Sequence, residues 1–190
     1  AGILKDGAEI DATGSGSFSS SSSLIFESEG IINGNVNLPN VAINGGVDFG
    51  SNSTIDGNLT IESGGSVDNG NPPSYTGNST LIYSDNGQTY GRSTEWSSTS
   101  GAGYPNNVII QDNTTLNLGA NGGTATAKQI AGNLTVKAGS TLSLDIESMT
   151  EALTVLGDFT NEGTVELSSS SRGDLRLQGD FNDNGSFTAN

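Results

Sequence analysis

Neither cysteine nor histidine occurs in the 190-residue chain. Without Cys there is no disulfide framework and no thiolate metal site. Without His, the Ser-His-Asp and Cys-His nucleophilic arrangements and His-ligated zinc are excluded as well. Basic residues are scarce: six Lys and Arg stand against 21 Asp and Glu, for a formal charge of -15. Such a surface repels polyanions, so nucleic acid is not an expected partner. No apolar run approaches the roughly 20 residues of a membrane-spanning helix, and no membrane insertion is expected. The sequence from Ala1 also lacks the basic and apolar regions of a signal peptide. Hydrophobic residues make up only 32% of the chain, which implies a thin core.

Glycine, at 28 residues, is abundant together with Ser, Thr and Asn, while proline is held to 4. That composition suits either disorder or a fold of short strands and tight turns, and the regular spacing of Val, Ile and Leu favours the fold. The stretch Lys128 to Leu144, KQIAGNLTVKAGSTLSL, carries the pattern most clearly. Ile130, Leu134, Val136, Leu142 and Leu144 are expected to point inward from short strands, with Thr135, Lys137, Thr141 and Ser143 outward. Its motif is an apolar residue, any residue, Gly, usually Asn or Asp, then an apolar residue. Copies lie at Ile32 to Val36, Ile55 to Leu59, Ile130 to Leu134, Val155 to Phe159 and Leu177 to Phe181. The motif glycines are Gly34, Gly57, Gly132, Gly157 and Gly179; the long interval from Gly57 to Gly132 reads as three units the length of the one from Gly132 to Gly157. Alignment extends past the motif: NLTIESGGSVD from Asn58 matches NLTVKAGSTLS from Asn133, and FTNEGTVEL from Phe159 matches FNDNGSFTA from Phe181.

A unit this short cannot bury its apolar face alone, whereas stacked copies form a continuous core. The expected fold is therefore all-β, a right-handed parallel β-helix (β-solenoid) with coils of about 22-25 residues and an aromatic-rich insertion. At about 4.8 Å per rung, roughly eight coils make a rod on the order of 40 Å long. The motif glycines are expected at corners needing positive φ, and the following Asn or Asp in the left-handed region.

Residues 1-190 read as one solenoid segment, with 1-30 as a Ser- and Gly-rich edge coil or linker that includes the run SFSSSSS from Ser17 to Ser23. Phe187-Thr188-Ala189-Asn190 stops in the middle of a repeat, as expected of a piece of a longer chain. Residues 69-107 break the pattern. All four tyrosines, the single Trp96, Arg92 and three of the four prolines fall between Val67 and Val108. Ser79 to Tyr83 still reads as a strand within it, and Asn86 to Asn107 as an ordered excursion.

Aromatic faces flanked by Asn, Asp and Arg make a generic carbohydrate platform, which singles out Tyr90, Arg92, Trp96 and Tyr104 as candidate ligand-binding residues. The same residues equally suit a small core that the excursion folds against the rod. Asp145 and Glu147, alternating on one strand face, would meet Glu166 or Glu162 across rungs and supply the two carboxylates of a glycosidase, or else form an exposed acidic ridge. Asp180, Asn182, Asp183 and Asn184 offer hard oxygen ligands for calcium, but neither an EF-hand loop nor a tandem GGxGxD repeat occurs. Turn roles are favoured there, and no metal or cofactor is assigned. Thr60, Thr135 and Thr160 would stack as an outward ladder, although the TxT pairs of an ice-binding face are confined to Thr124-Ala125-Thr126.

In GNLTV (132-136), GDFTNEGTV (157-165) and YGRSTEWSSTSGAGYPNNV (90-108) the chain resembles the repetitive cell-surface and secreted proteins of Bacteroidota, over about Ser51 to Asn190. The resemblance implies export by the type IX system, an extracellular or cell-surface location, and an adhesin role in attachment, biofilm or gliding. It brings no defined catalytic residues. The expected partners are surface glycans or other cell-surface proteins, with end-to-end or lateral self-association through open solenoid edges. Two functional readings follow: a non-catalytic adhesive stalk, or a carbohydrate-binding or polysaccharide-cleaving β-helix centred on Tyr75 to Tyr104.

Overall fold

A computed structural model describes residues 2-5, 7-19, 22-68 and 70-188. Ser20 and Ser21 of the serine run, Asn69 of the aromatic region, and Ala189 and Asn190 lie outside the described residues. Alternating apolar residues fold as very short strands. Leu134–Val136 and Leu153–Val155 each bury their two outer residues and turn a threonine outward, because successive side chains leave a strand on opposite sides. Each strand then pairs in parallel with its equivalent one coil away, so the chain is a β-solenoid.

One face carries nine strands in sequence order, from Gly2–Leu4 to Phe181–Asp183. Its eight steps of about 4.8 Å give a rod roughly 38 Å long. In the C-terminal half a second face is built from Thr89–Gly91, Thr115–Asn117, Thr141–Ser143, Thr164–Glu166 and Ser186–Thr188, and a third from Lys128–Ile130, Leu153–Val155 and Leu175–Leu177. Toward the N-terminus the long strands Gly30–Ile43 and Thr54–Glu62 run through the corners and fuse the faces into one sheet. Among the described residues the only helix is a 3-10 turn, Thr94–Trp96, and no helix is long and apolar enough to cross a membrane. The Ser- and Gly-rich start contributes rungs: Gly2–Leu4 pairs with Leu24–Phe26, and Ala8–Ser17 with Gly30–Ile43.

The core is a single run of stacked columns. Leu24, Val41, Leu59, Leu81, Val108, Leu134 and Phe159 succeed one another in register, beside Phe26, Ile43, Ile61, Tyr83, Ile110 and Val136. Each fully buried aliphatic side chain is worth about 1.5–3 kcal/mol, so repetition compensates for a thin cross-section. Ser143, expected outward, is buried at the corner instead, where its hydroxyl accepts the amides of Asp145 at 3.2 Å and Ile146 at 3.0 Å.

Coil length is less even than the motif spacing suggests. In the column that runs from Gly2 to Phe181, the shortest coil separates Leu24 from Val41 and the longest separates Leu81 from Val108. The interval between Gly57 and Gly132 does hold three coils, Leu59 to Leu81, Leu81 to Val108 and Val108 to Leu134, but they are unequal, the first being clearly the shortest. Only strands must stay in register, and the corners absorb the difference.

Gly57, Gly132, Gly157 and Gly179 share one corner, but Gly34 does not: it stacks on Ala12, while Gly57 lies over Pro39. The reason for glycine also differs from expectation. Gly34 has a φ of 91°, whereas the four corner glycines have no positive φ. They are glycines because the coil below comes too close. A Cβ on Gly157 would lie 2.4 Å from Asn133 Oδ1 and 2.6 Å from the Gly132 carbonyl. The Asn or Asp that follows is not left-handed either. Instead its main-chain N–H donates to the equivalent side chain one coil below: Asn133 to Asn107 Oδ1, Asp158 to Asn133 Oδ1 and Asp180 to Asp158 Oδ1, each at 2.9 Å, and Asn58 to Asn40 Oδ1 at 3.2 Å. Gly makes the room and Asx fills it with an acceptor, which explains why the two residues recur as a pair.

Gly157→Ala is expected to cost about 1–3 kcal/mol through overpacking. Asn133→Ala should cost about 1 kcal/mol for the lost acceptor, while Asn133→Asp stays close to wild type. Denaturant midpoints at constant m-value check all three, and an Asn133→Asp loss as large as that of the alanine variant would disprove the ladder role.

Candidate functional site

Between Ser74–Tyr75 and Lys128–Ile130 the third face has no strand of its own. Residues 92-106 occupy that place. Gly103 N–H donates to the Pro73 carbonyl at 3.0 Å on one side, and on the other Ala131 and Gly132 N–H donate to the carbonyls of Pro105 at 3.1 Å and Asn106 at 2.6 Å. The excursion is therefore a replacement rung. Its flanks keep to the stack: Thr80–Ser84 pairs with the strands on both sides of it, and Thr89–Gly91 begins the second face by pairing with Thr115–Asn117.

Trp96 points into the solenoid and is 0% exposed, its indole N–H donating to the Gln129 carbonyl at 3.0 Å. Tyr104 is partly buried, and its hydroxyl accepts from Gln129 Nε2 at 2.9 Å. Tyr90 is buried against Tyr83, ring centroids 5.3 Å apart. Arg92 is buried, with its guanidinium spread over main-chain carbonyls: Leu118 at 3.2 Å, Ala120 at 2.7 Å, Trp96 at 3.4 Å, and Ser93. Gly123 leaves room for it, since a Cβ there would lie 2.0 Å from Nη2. The four residues come together, but as an interior. Trp96 and Tyr90 offer no ring face on which a sugar could stack, and the donors of Arg92 are engaged with the chain's own backbone.

Two charged residues of this interior were not among the sequence-derived candidates. Glu95 is 0% exposed; its Oε1 accepts the Tyr83 hydroxyl at 2.9 Å and the Ser93 N–H at 2.9 Å, which also reaches Oε2 at 3.1 Å. Burial raises the Glu95 carboxyl above the usual carboxylate range, opposed by the Ser93 amide, the Tyr83 hydroxyl and the positive charge of Arg92. Burial and the Glu95 charge also push the Tyr75 and Tyr83 phenols up. Lys128 sits inside with its ammonium donating to the carbonyls of Gly123 at 3.1 Å and Thr126 at 2.7 Å. Burial, then Arg92, lowers its pKa to about 8. A signal for Lys128 existed: it is two positions from the inward Ile130, so strand alternation alone places it inside. Chemically, the ensemble is a polar clamp holding a replacement rung.

The other candidate groups do not converge. Asp145 and Glu147 lie in a turn after Thr141–Ser143, not on a strand. Asp145 Oδ1 accepts from Ser148 and Ser169, and Glu147 Oε1 from Asn117 Nδ2 at 3.2 Å. Glu162 instead faces Lys137 at 3.3 Å, and Glu166 stacks beyond Ser143. Asp183 Oδ1 takes the Asn161 amide at 2.7 Å and the Gly185 N–H at 3.3 Å, and no group of three or more acidic side chains poised for a metal occurs among the described residues. Thr135 and Thr160 do stack, but Ile82 and Ile109 separate them from Thr60. A longer ladder, Thr89, Thr115, Thr141 and Thr164, runs up the second face. No family model matches the chain, and neither a curated protein nor a solved structure matches it.

The folded-state pKa of Glu95 is raised, so its contribution to stability is complete below the unfolded value near 4.5 and declines as pH rises through the folded value. Glu95→Gln is therefore expected to equal or exceed wild type in Tm at pH 7, with the difference closing below pH 4.5; a difference that does not change with pH would refute this. Trp96→Ala should cost about 3–5 kcal/mol by chemical denaturation.

Proposed function

We propose that the chain is a non-catalytic, rod-like structural and adhesive segment of a bacterial cell-surface or secreted protein, a stalk acting in attachment, biofilm or gliding. The observation that supports this reading best is the fate of the aromatic excursion. Trp96 and Arg92 are consumed in closing the third face and Tyr90 is buried in the core, so the residues best suited to a carbohydrate site are not available as one. What remains for partners is the long flank of the rod, where outward Thr repeats at the rung spacing, joined by Ile82 and Ile109. A flank of this kind offers many equivalent weak contacts, and their sum suits attachment to an extended surface of glycans or other cell-surface proteins. The alternative, a carbohydrate-binding or polysaccharide-cleaving β-helix using Tyr75 to Tyr104, is weakened by the burial of its central side chains.

Displayed on a non-adherent bacterial cell, the chain is expected to raise retention under flow on glycan- or protein-coated surfaces. Trp96→Ala should lose that retention only in step with its folded fraction by circular dichroism. Retention no better than that of an unrelated rod of similar length would defeat the adhesive reading, and release of reducing sugar from a polysaccharide panel would defeat the non-catalytic one.

A further inference from the structure

Asn-Gly steps occur in the chain at Asn33, Asn44, Asn69, Asn86, Asn121 and Asn184. Each sets a carboxamide beside an unhindered main-chain nitrogen, because glycine carries no Cβ. When that nitrogen attacks the asparagine Cγ, a five-membered ring closes and ammonia leaves. The reaction needs room for the backbone to rearrange, a glycine N–H not engaged elsewhere, and an asparagine open to water. Asn69 lies outside the described residues, and the solenoid distributes these three freedoms unequally over the other five steps.

Three of the steps are held against the neighbouring coil. A Cβ on Gly34 would strike the Ala12 carbonyl, one on Gly45 the main chain of Ser28, and one on Gly185 the Gly163 carbonyl. Gly87 and Gly122 have no such neighbour within 4 Å. Gly87, however, donates its N–H to the Asp112 carbonyl at 3.0 Å, which engages the nucleophile beside Asn86. Gly122 N–H has no acceptor among the described residues. Asn121 and Gly122 are both exposed, in a left-handed turn with φ of 56° and 71°. Of the five described steps, Asn121-Gly122 alone combines the three freedoms.

The carboxamide at stake is structural. Asn121 Nδ2 donates to the Arg92 carbonyl at 2.7 Å, while the Arg92 guanidinium donates to the carbonyls of Leu118 and Ala120. The turn after Leu118 and the replacement rung are thus tied in both directions, and Asn121 supplies one of the two ties.

We propose that Asn121 is a site of spontaneous deamidation, and that its loss of ammonia unties this turn from the replacement rung. The Gly122 nitrogen forms a bond to Cγ as the Cγ–Nδ2 bond breaks, and the Gly122 proton leaves with Nδ2 as ammonia. Water then opens the succinimide at one or other carbonyl, giving aspartate or isoaspartate. Neither product can donate to the Arg92 carbonyl, which is left facing a carboxylate in place of a donor. The inference is independent of what the flanks of the rod bind.

The intact chain, folded and in concentrated urea, is incubated at mildly alkaline pH, and each Asn-Gly step is followed by mass spectrometry for exchange of amide for acid. In urea the five steps should react at similar rates. In the folded chain Asn121 should stay within about tenfold of its urea rate, because a single hydrogen bond restrains it. Asn86 should be slower than Asn121, and Asn33, Asn44 and Asn184 slower again, since their backbone is freed only when coils separate. Asn121→Asp, in which the donor is already lost, should melt about 2–4 °C below wild type. Asn86 or any of the three clamped steps reacting faster than Asn121 in the folded chain, or an Asn121→Asp melting point equal to wild type, would overturn the proposal.

Discussion

Parallel stacking of each strand on its equivalent one coil earlier is the constraint on which the rest of the molecule depends. A short strand such as Leu134–Val136 has no stability alone; it gains main-chain hydrogen bonds on both edges and apolar contacts inside from Val108 to Ile110 below and Phe159 to Asn161 above. Because the register is set locally, by inward side chains meeting inward side chains, the connections between strands need only be long enough to turn. Coils as different in length as Leu24 to Val41 and Leu81 to Val108 therefore coexist in one rod. The same constraint explains the Gly-Asx corner. Where two coils approach at strand spacing, a Cβ at Gly157 or Gly179 would strike the backbone below, and the next residue supplies an acceptor for the coil above.

The stack also tolerates a local exchange of strand for irregular chain, provided the backbone polar groups are satisfied. Residues 92-106 achieve this with cations. Arg92 donates to four carbonyls and Lys128 to two, so two of the six basic residues lie inside the rod. Burying a charge is unfavourable, and a buried charge is weak support for stability but a strong constraint on geometry. Its effect here is to hold one irregular rung in one position. The surface is left correspondingly acidic. Among the described residues the ion pairs Lys5 with Glu27, Lys137 with Glu162 and Arg176 with Asp174 are exposed and of the kind that contributes little.

Much of this was legible before folding, and the failures share a cause. Ile130, Leu134, Val136, Leu142 and Leu144 are inward as alternation requires. Ser143 and Gly34 were misplaced because both judgements concern corners, where the period of two lapses and only the neighbouring coil decides what faces inward. Asp145 and Glu147 failed as a carboxylate pair for the same reason, since the chain turns immediately after Ser143. The candidate site was half legible. Composition marked the aromatic stretch as different, but Glu95 carried no periodic signal, and whether Trp96 faced solvent or core depended on an empty place in the third face.

By itself the sequence determined the fold class, the approximate number of coils and the identity of the repeating corner, because these follow from patterns that every coil restates. The tertiary structure alone decided which copies share a column, why the corner is Gly-Asx and where the buried charges sit. Those properties depend on the coil above and the coil below, neighbours that touch in space yet lie a full turn of the solenoid away along the chain, as Leu81 does from Val108. No window along the sequence brings such neighbours together.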